Sequence, residues 1–382
     1  MRRWFFIIVW ILNVLLHAYV AWRLIPGLGL TRSGTSVALM LTMFSALLTP
    51  APLLLRLSHL PSRVADVLAW IGYLSMGLFS SFFVLTLLRD AALSLATVGY
   101  WLMDSVRPPL LDYQTAWMVV VLACVFTLIG IINARRIAKV VDVELPVAGL
   151  PERLHGFTIV QLSDIHVGPT IQRGYLDAIV QRVNKLDADL VAITGDLIDG
   201  SADRYRSHLA PLSELSSRHG TFCVTGNHEY YHGAHEWLEV WRRLGLRVLL
   251  NESETLDHDG EQLLIGGITD YSAHRFDPSH KSDPVSAAQS AGSVAIKVLL
   301  AHQPRSAFAA AEAGFDIQLS GHTHGGQFLP WNFFVPMQQP FVAGLKRVGA
   351  LMVYTSRGTG YWGPPIRFGA PSEITRLTLV AA

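Results

Sequence analysis

Two hydrophobic patterns divide this 382-residue chain. In the first third, apolar residues run on without interruption: Trp4 to Trp22, Ser33 to Leu55, Val67 to Leu88 and Tyr113 to Ala134 contain no Lys, Arg, Asp or Glu. A helix of about 20 such residues spans the roughly 30 Å hydrocarbon core of a bilayer, so four transmembrane helices are expected. Pro50 and Pro52 should kink the second, a break that membranes tolerate better than water does. Ala91 to Met103 is apolar but short, and fits an interfacial or re-entrant piece. Arg2 and Arg3 before an apolar run also fit a signal peptide, but Trp22-Arg23 offers no small-residue cleavage site and three further spans follow.

The second pattern begins near residue 155. Short apolar runs, each the length of a buried strand, end in polar blocks: Phe157 to Leu162 before Asp164-Ile165-His166, Leu190 to Ile193 before Gly195-Asp196, and Phe222 to Val224 before Gly226-Asn227-His228-Glu229. Ile296 to Leu300 precedes Ala301-His302-Gln303, and Ile317 to Leu319 precedes Gly321-His322-Thr323-His324-Gly325-Gly326-Gln327. Between them, Gly174 to Leu186, Tyr205 to Ser217 and Ala234 to Leu244 carry apolar residues at helical spacing. Strand and helix in alternation predict a layered α/β domain. Its ligand crevice should lie at the C-terminal ends of the strands, where the polar blocks fall.

The residue types point to metal chemistry. Asp164 with His166, and His322 with His324, are i,i+2 pairs, which on strand ends would point to one face. Glycines 195, 226 and 321 each stand one residue before a candidate ligand and permit close backbone approach. Imidazole, carboxylate and one amide, with no thiolate, suit Mn, Fe or Zn.

These blocks, in this order, resemble those of the calcineurin-like metallophosphoesterase superfamily. Gly321 to Gln327 resembles its bacterial membrane-associated phosphodiesterase branch, as does the terminal stretch from Ser356-Arg357-Gly358 through Arg367 to Glu373-Ile374. The resemblance covers about residues 155 to 380 and implies a four-layer α/β/β/α sandwich after the membrane helices. It implies two divalent ions, one held by Asp164, His166, Asp196 and His324 and the other by Asp196, Asn227, His302 and His322. Ions about 3.5–4 Å apart polarise phosphoryl oxygens and lower the pKa of bridging water. His228 would then stand beside the leaving group as proton donor, with Asp199 of Gly-Asp-x-x-Asp orienting it. Arg357 and Arg367 are expected to meet substrate. The branch's known range includes lipid-linked substrates such as UDP-diacylglucosamine.

Composition supports a membrane location: 51% of the chain is hydrophobic and only 15% charged, too apolar for an ordinary soluble enzyme. In a four-span arrangement Arg2, Arg3, Arg56, Arg63, Arg135, Arg136 and Lys139 share one side, against Arg23, Arg32, Arg89 and Arg107 on the other. The positive-inside rule makes the first side cytoplasmic, and the metal domain with it, at the inner membrane of a cell. Residues 1–140 thus form the membrane domain, 141–155 a linker and 156–382 the phosphoesterase, with Val140 to Leu145 a short strand in the junction of residues 135 to 155. Arg135, Arg136 and Lys139 are placed to meet anionic headgroups.

Residues 141–382 carry 19 Lys and Arg against 25 Asp and Glu, a balance of −6 that argues against nucleic acid as partner. Cys124 and Cys223, one in a span and one in a strand, do not suggest a disulfide. Phe328, Leu329, Trp331, Phe333, Phe334, Val335 and Met337 follow the last histidine block. They are either core between the sheets or an apolar lip for a lipid chain, with Trp331 and Phe334 as its candidate substrate contacts. An unselective tethered phosphomonoesterase or cyclic-nucleotide phosphodiesterase, and a non-catalytic membrane scaffold, are the alternative functions.

Overall fold

The computed structural model describes residues 2–55, 60–289, 293–328 and 330–382, so Arg56 of the charge count and Leu329 of the aromatic run lie outside the described residues. Two compact units divide the chain: residues 1–132 with Gly363–Ile366, and Asn133–Trp362 with Arg367–Ala382.

The first unit is helical: α1 (Arg2–Leu24), α2 (Arg32–Leu48), α3 (Ala51–Leu55), α4 (Ser62–Leu102) and α5 (Leu110–Arg135). Four helical stretches, Ile7–Leu28, Arg32–Leu55, Arg63–Leu102 and Leu110–Arg135, are long and apolar enough to cross a membrane. The second is broken at Thr49-Pro50, between α2 and α3, as the prolines require. Ala91 to Met103 is not a separate piece. No Pro or Gly interrupts the chain between Asp90 and Val98, and α4 runs through it as one helix of 41 residues. Among the described residues the candidate spans number four.

Three of the four arginines expected on one side of the membrane are gathered within this unit. Arg23 Nε lies 2.7 Å from Asp90 Oδ2, Arg89 Nη1 3.4 Å from Asp90 Oδ1, and Arg107 Nη2 2.9 Å from Asp112 Oδ2. Tyr19 also donates its hydroxyl to Asp90. Burying a charge is costly unless it is paired, and Arg89, which is buried, also donates to the carbonyls of Arg23 and Asp112.

The second unit contains two sheets. Strands β1 (Lys139–Val147), β2 (Thr158–Leu162), β3 (Leu190–Thr194), β4 (Thr221–Val224) and β5 (Arg247–Val248) belong to the first. The second is formed by β6 (Glu252–His258), β7 (Glu261–Gly267), β8 (Ile296–Leu300), β9 (Ile317–Ser320), β10 (Gly344–Val348) and β11 (Leu351–Thr355), and β12 (Glu373–Ala381) returns to the first. The strand orders are β1-β12-β2-β3-β4-β5 and β10-β11-β9-β8-β7-β6. The five strands expected to carry ligands, β2, β3, β4, β8 and β9, all form, and parallel pairing links β2, β3 and β4 in one sheet and β8 and β9 in the other.

Alternation along the strands explains the layering. Val160, Leu162, Val191 and Ile193 pack outward against Leu176, Ile179 and Val183 of α6 (Arg173–Asn184). Their neighbours Ile159, Leu190 and Ala192 face the other way, onto Leu263, Ile265, Val298, Leu300 and Ile317 of the second sheet. The outward side chains of that sheet, Leu264, Leu299 and Val353, meet Ala307, Ala310 and Phe315. The result is the expected four-layer α/β/β/α sandwich, with two-residue periodicity setting each layer.

The remaining helices in chain order are α7 (Ala202–Tyr205), α8 (Asn227–Tyr231), α9 (Ala234–Arg243), α10 (Pro284–Ala287) and α11 (Ala307–Glu312). The helix expected from Tyr205 to Ser217 is instead α7 followed by a 3-10 stretch, Arg206–Glu214, because Pro211 cannot donate to a continued α ladder. The expected linker is also corrected. Lys139–Val147 pairs along its whole length, parallel, with β12, so β1 belongs to the sandwich. Arg135 is likewise occupied, donating to Thr170 O and Tyr361 Oη, and is not a free headgroup contact.

Candidate metal centre

Seven proposed ligands converge at the C-terminal edges of the two sheets. The first sheet supplies Asp164 and His166 after β2, Asp196 after β3 and Asn227 after β4. The second supplies His302 after β8, and His322 and His324 after β9. Ligand atoms of Asp164, His166 and His324 form one close group and those of Asp196, His302 and His322 another. Asp196 Oδ2 lies 3.2 Å from His302 Nε2 and 3.7 Å from His166 Nε2, which makes it the link between them. His166 Nε2 to His324 Nε2 is 3.1 Å, His324 Nε2 to Asp164 Oδ1 is 3.3 Å, and His322 Nδ1 to His302 Nε2 is 3.2 Å.

These spacings fit ligands sharing a cation. For metal–ligand bonds of about 2.1 Å, neighbouring ligands lie about 3.0 Å apart in an octahedron and about 3.4 Å apart in a tetrahedron. The Asn227 Oδ1 atom gives a second indication. It is buried and has no hydrogen-bond partner, which a bound cation would remedy.

The convergence is not achieved by extended strand ends. Asp164, His166, Asp196, His322 and His324 all have positive φ, between 51° and 71°. Left-handed backbone is unfavourable for residues with a Cβ and persists only where surrounding structure enforces it, often at functional sites. The glycines make room for it. A Cβ on Gly226 would stand 2.2 Å from Asp196 Oδ1, and one on Gly321 would stand 2.1 Å from Asp164 Oδ2.

Glu229, whose role is hidden in the sequence, holds two of these loops together. Fully buried, its carboxylate accepts from the backbone N–H groups of Asp196, Leu197 and Gly226. Burial pushes its pKa up to about 7. Burial likewise pushes Asp164 up to about 6, and His166 and His322 down to about 3, leaving those imidazoles neutral with lone pairs to donate. For Asp196 and His302 burial opposes both charges, yet their mutual attraction holds Asp196 well below and His302 well above the ordinary values. His302 Nδ1 lies 2.8 Å from the Thr194 carbonyl, which turns Nε2 toward Asp196.

His228 adjoins the two groups, with one ring nitrogen within 4.8 Å of ligand atoms of His166 and Asp196. Its backbone N–H donates to Asp196 Oδ1, and its Nδ1 lies 3.2 Å from Asp199 Oδ1. Burial would lower its pKa, but Asp196 and the hydrogen bond to Asp199 outweigh that and hold it above the ordinary value. The same Asp199 oxygen lies 3.1 Å from His232 Nε2, a partner absent from the sequence motif. Trp362 approaches the His228 ring edge-on and is fixed by two bonds from the final residue of the histidine motif: Gln327 Nε2 donates to Trp362 O and the Trp362 N–H donates to Gln327 Oε1.

The expected substrate contacts divide. Arg357 is partly exposed and pairs with Glu373 at 2.8 Å. Arg367 is not available to substrate: it is 0% exposed, donates to the carbonyls of Gly360, His324, Arg357 and Ala370, and its Nη2 lies 3.1 Å from His324 Nδ1. It orients His324 instead, and burial lowers its pKa to about 10. Trp331 and Phe334 are 40% and 53% exposed and their rings adjoin, so they are surface rather than core.

Residues 157–326, which contain every one of these ligands, match the family model for calcineurin-like phosphoesterase. The chain is 40% identical over 279 residues to a transmembrane protein with metallophosphoesterase domain from Danio rerio, covering 71% of this chain and 64% of that one. It is 36% identical to an uncharacterized metallophosphoesterase of Campylobacter jejuni, covering 68% of each. Among solved structures, a 5'-nucleotidase precursor of Thermus thermophilus aligns with a TM-score of 0.38 and 18% identity, over 53% of this chain and 49% of that one. The chain belongs to the calcineurin-like metallophosphoesterase family. It spans under two thirds of the length of the Danio rerio relative.

Proposed function

We propose that the chain is a membrane-bound hydrolase that uses two divalent ions, manganese first among them, to cleave a phosphodiester or pyrophosphate bond in a lipid-linked or nucleotide-lipid substrate. The observation that carries this reading is the gathering of Asp164, His166, Asp196, His302, His322 and His324 into close groups, with the His228–Asp199 pair at their side. When bound, two such ions draw in a phosphate anion, polarise it and activate a water. Asp164, His166, Asp196 and His324 would hold one, and Asp196, Asn227, His302 and His322 the other.

The chain's own residues supply the rest of the step. His228 holds a proton facing the cluster and donates it to the departing oxygen, a contribution of about 10²–10⁴-fold. Asp199 keeps the ring oriented through Nδ1 and stabilises its charge. Arg357 is the candidate cation for a phosphate oxygen, while Trp331 and Phe334 are the candidate apolar contacts for a substrate chain. Four apolar helices in the same chain favour a lipid substrate over a soluble one.

The arginine asymmetry supports a cytoplasmic metal domain at the inner membrane. A reporter active only in the cytoplasm, fused after Ala382, is expected to work, and one active only outside is expected to fail. Substrate class is tested by incubating the purified protein and Mn with lipid-phosphate extracts. Release of UMP or a lipid phosphate is expected, whereas release of inorganic phosphate from many small monoesters, with no lipid turned over, would favour the unselective tethered enzyme.

A further inference from the structure

Outside the buried cluster lies a second group of metal-binding side chains. His235 stands at the start of α9, while Asp277 and His280 belong to the loop that follows β7. One ligand atom from each lies within 4.8 Å of the others. His235 Nε2 is 2.9 Å and His280 Nε2 is 4.0 Å from the same oxygen, Asp277 Oδ2.

The atoms around this group are arranged as they are behind a metal ligand. Asp277 Oδ1 is engaged by both the backbone N–H and the hydroxyl of Ser279, which fixes the carboxylate and leaves Oδ2 to the two imidazoles. His280 Nδ1 lies 2.8 Å from Tyr230 Oη, so its ring is held with Nε2 toward Asp277. Hydrogen bonds of this kind orient metal-ligating histidines and carboxylates. His235 is largely exposed.

We propose that His235, Asp277 and His280 form a surface zinc site, separate from the buried centre. Two imidazoles and one carboxylate, with a fourth position open to water, suit Zn²⁺. The ion would brace α9 against the loop after β7. Through His280 it would also fix Tyr230, which lies on α8 two residues beyond His228. The consequence is a clamp on the helix that carries Asn227 and His228, supplied by an ion that never touches substrate.

The test is zinc content of the full-length protein in detergent after equilibrium dialysis against micromolar free Zn²⁺, measured for wild type, His235→Ala and Asp277→Asn. His235 is exposed, so its variant folds. The asparagine of the second variant retains the shape needed for the Ser279 contacts. Each variant is expected to hold one zinc fewer per chain than wild type. That difference does not depend on how many ions the buried cluster takes up. Equal zinc content in wild type and both variants would overturn the proposal and leave the group as a surface His–Asp ion pair.

Discussion

The two units of this chain are both rich in apolar residues and place them in opposite positions. In the sandwich Trp237, Trp241, Phe157 and Phe222 are fully buried, while Trp331, Phe333, Phe334 and Trp362 stay exposed. In the helical unit the buried apolar positions are mostly small, among them Ala65, Ala69, Ala116 and Ala123, while Trp22, Leu41, Leu88, Leu95 and Trp101 are exposed. Small residues inside and large apolar ones outside is the packing of helices whose solvent is lipid. Polar groups are distributed differently too. In the helical unit they pair locally, as in half-buried Arg23 with Asp90 and buried His17 with Ser45, although Arg107 Nη1 is left without a hydrogen-bond partner. In the sandwich Asp164, His166, Asp196, His302, His322 and His324 gather into two close groups, and Asn227 Oδ1 also lacks a partner.

The most severe way to probe that contrast is to remove the shared carboxylate of the sandwich. Asp196→Asn removes the one negative charge that serves both ligand groups, and hydrolysis is expected to fall by more than about a hundredfold with loss of bound metal. Full turnover with wild-type metal content would refute the assignment. His228→Ala should separate proton donation from metal holding: metal content stays near wild type while kcat drops by about a hundredfold or more, and less for a substrate whose leaving group needs no proton. Loss of metal in this variant would make His228 a ligand.

The pH profile follows from the same residue. A raised pKa keeps His228 protonated above the usual 6.5, so the alkaline limb of kcat should lie above that value. Asp199→Asn removes one of the groups that raise it, and the limb should then move to lower pH. An unmoved limb would assign the titration to another group.

In the helical unit the corresponding experiment should change stability and leave the chemistry alone. Arg89→Ala strands the partners of a buried guanidinium and is expected to destabilise the protein by about 3 kcal/mol. A lowered melting temperature in detergent, with unchanged kcat per folded molecule and unchanged metal content, is the expected result. The smallest effect belongs to the exposed aromatics. Replacing Trp331 and Phe334 with serine should raise KM for a lipid-linked phosphodiester at least about tenfold, since each large apolar contact contributes roughly 1.5–3 kcal/mol. A small soluble ester should be barely affected, and equal losses on both substrates would remove the lipid lip.

Much of this was legible in the chain because it is local. A charge-free run of about 20 residues, an apolar run followed by Gly-Asp or Gly-Asn-His, and proline at a helix break each declare themselves within a few positions. What stayed hidden depends on partners far away in sequence. Val140 to Leu145 looked like a short strand in a linker because β12, its partner, begins at Glu373. Arg367 looked like a phosphate ligand because only the fold reveals the four carbonyls and the His324 ring around it. The i,i+2 histidine and aspartate pairs do converge, but through left-handed loop backbone rather than the strand pleat, a distinction that spacing alone does not carry. Nor does spacing reveal Glu229, His232 or the Gln327 clamp on Trp362.

If the polar edge of the sandwich is a metal-dependent phosphoesterase centre, its activity must vanish when the metal is stripped and return when metal is restored. Purified protein treated with a chelator and desalted should lose hydrolysis of bis(p-nitrophenyl) phosphate and regain it on addition of Mn²⁺, while stripped Asp196→Asn protein should not regain it. Undiminished hydrolysis by wild-type protein shown by elemental analysis to hold no divalent metal would contradict the account.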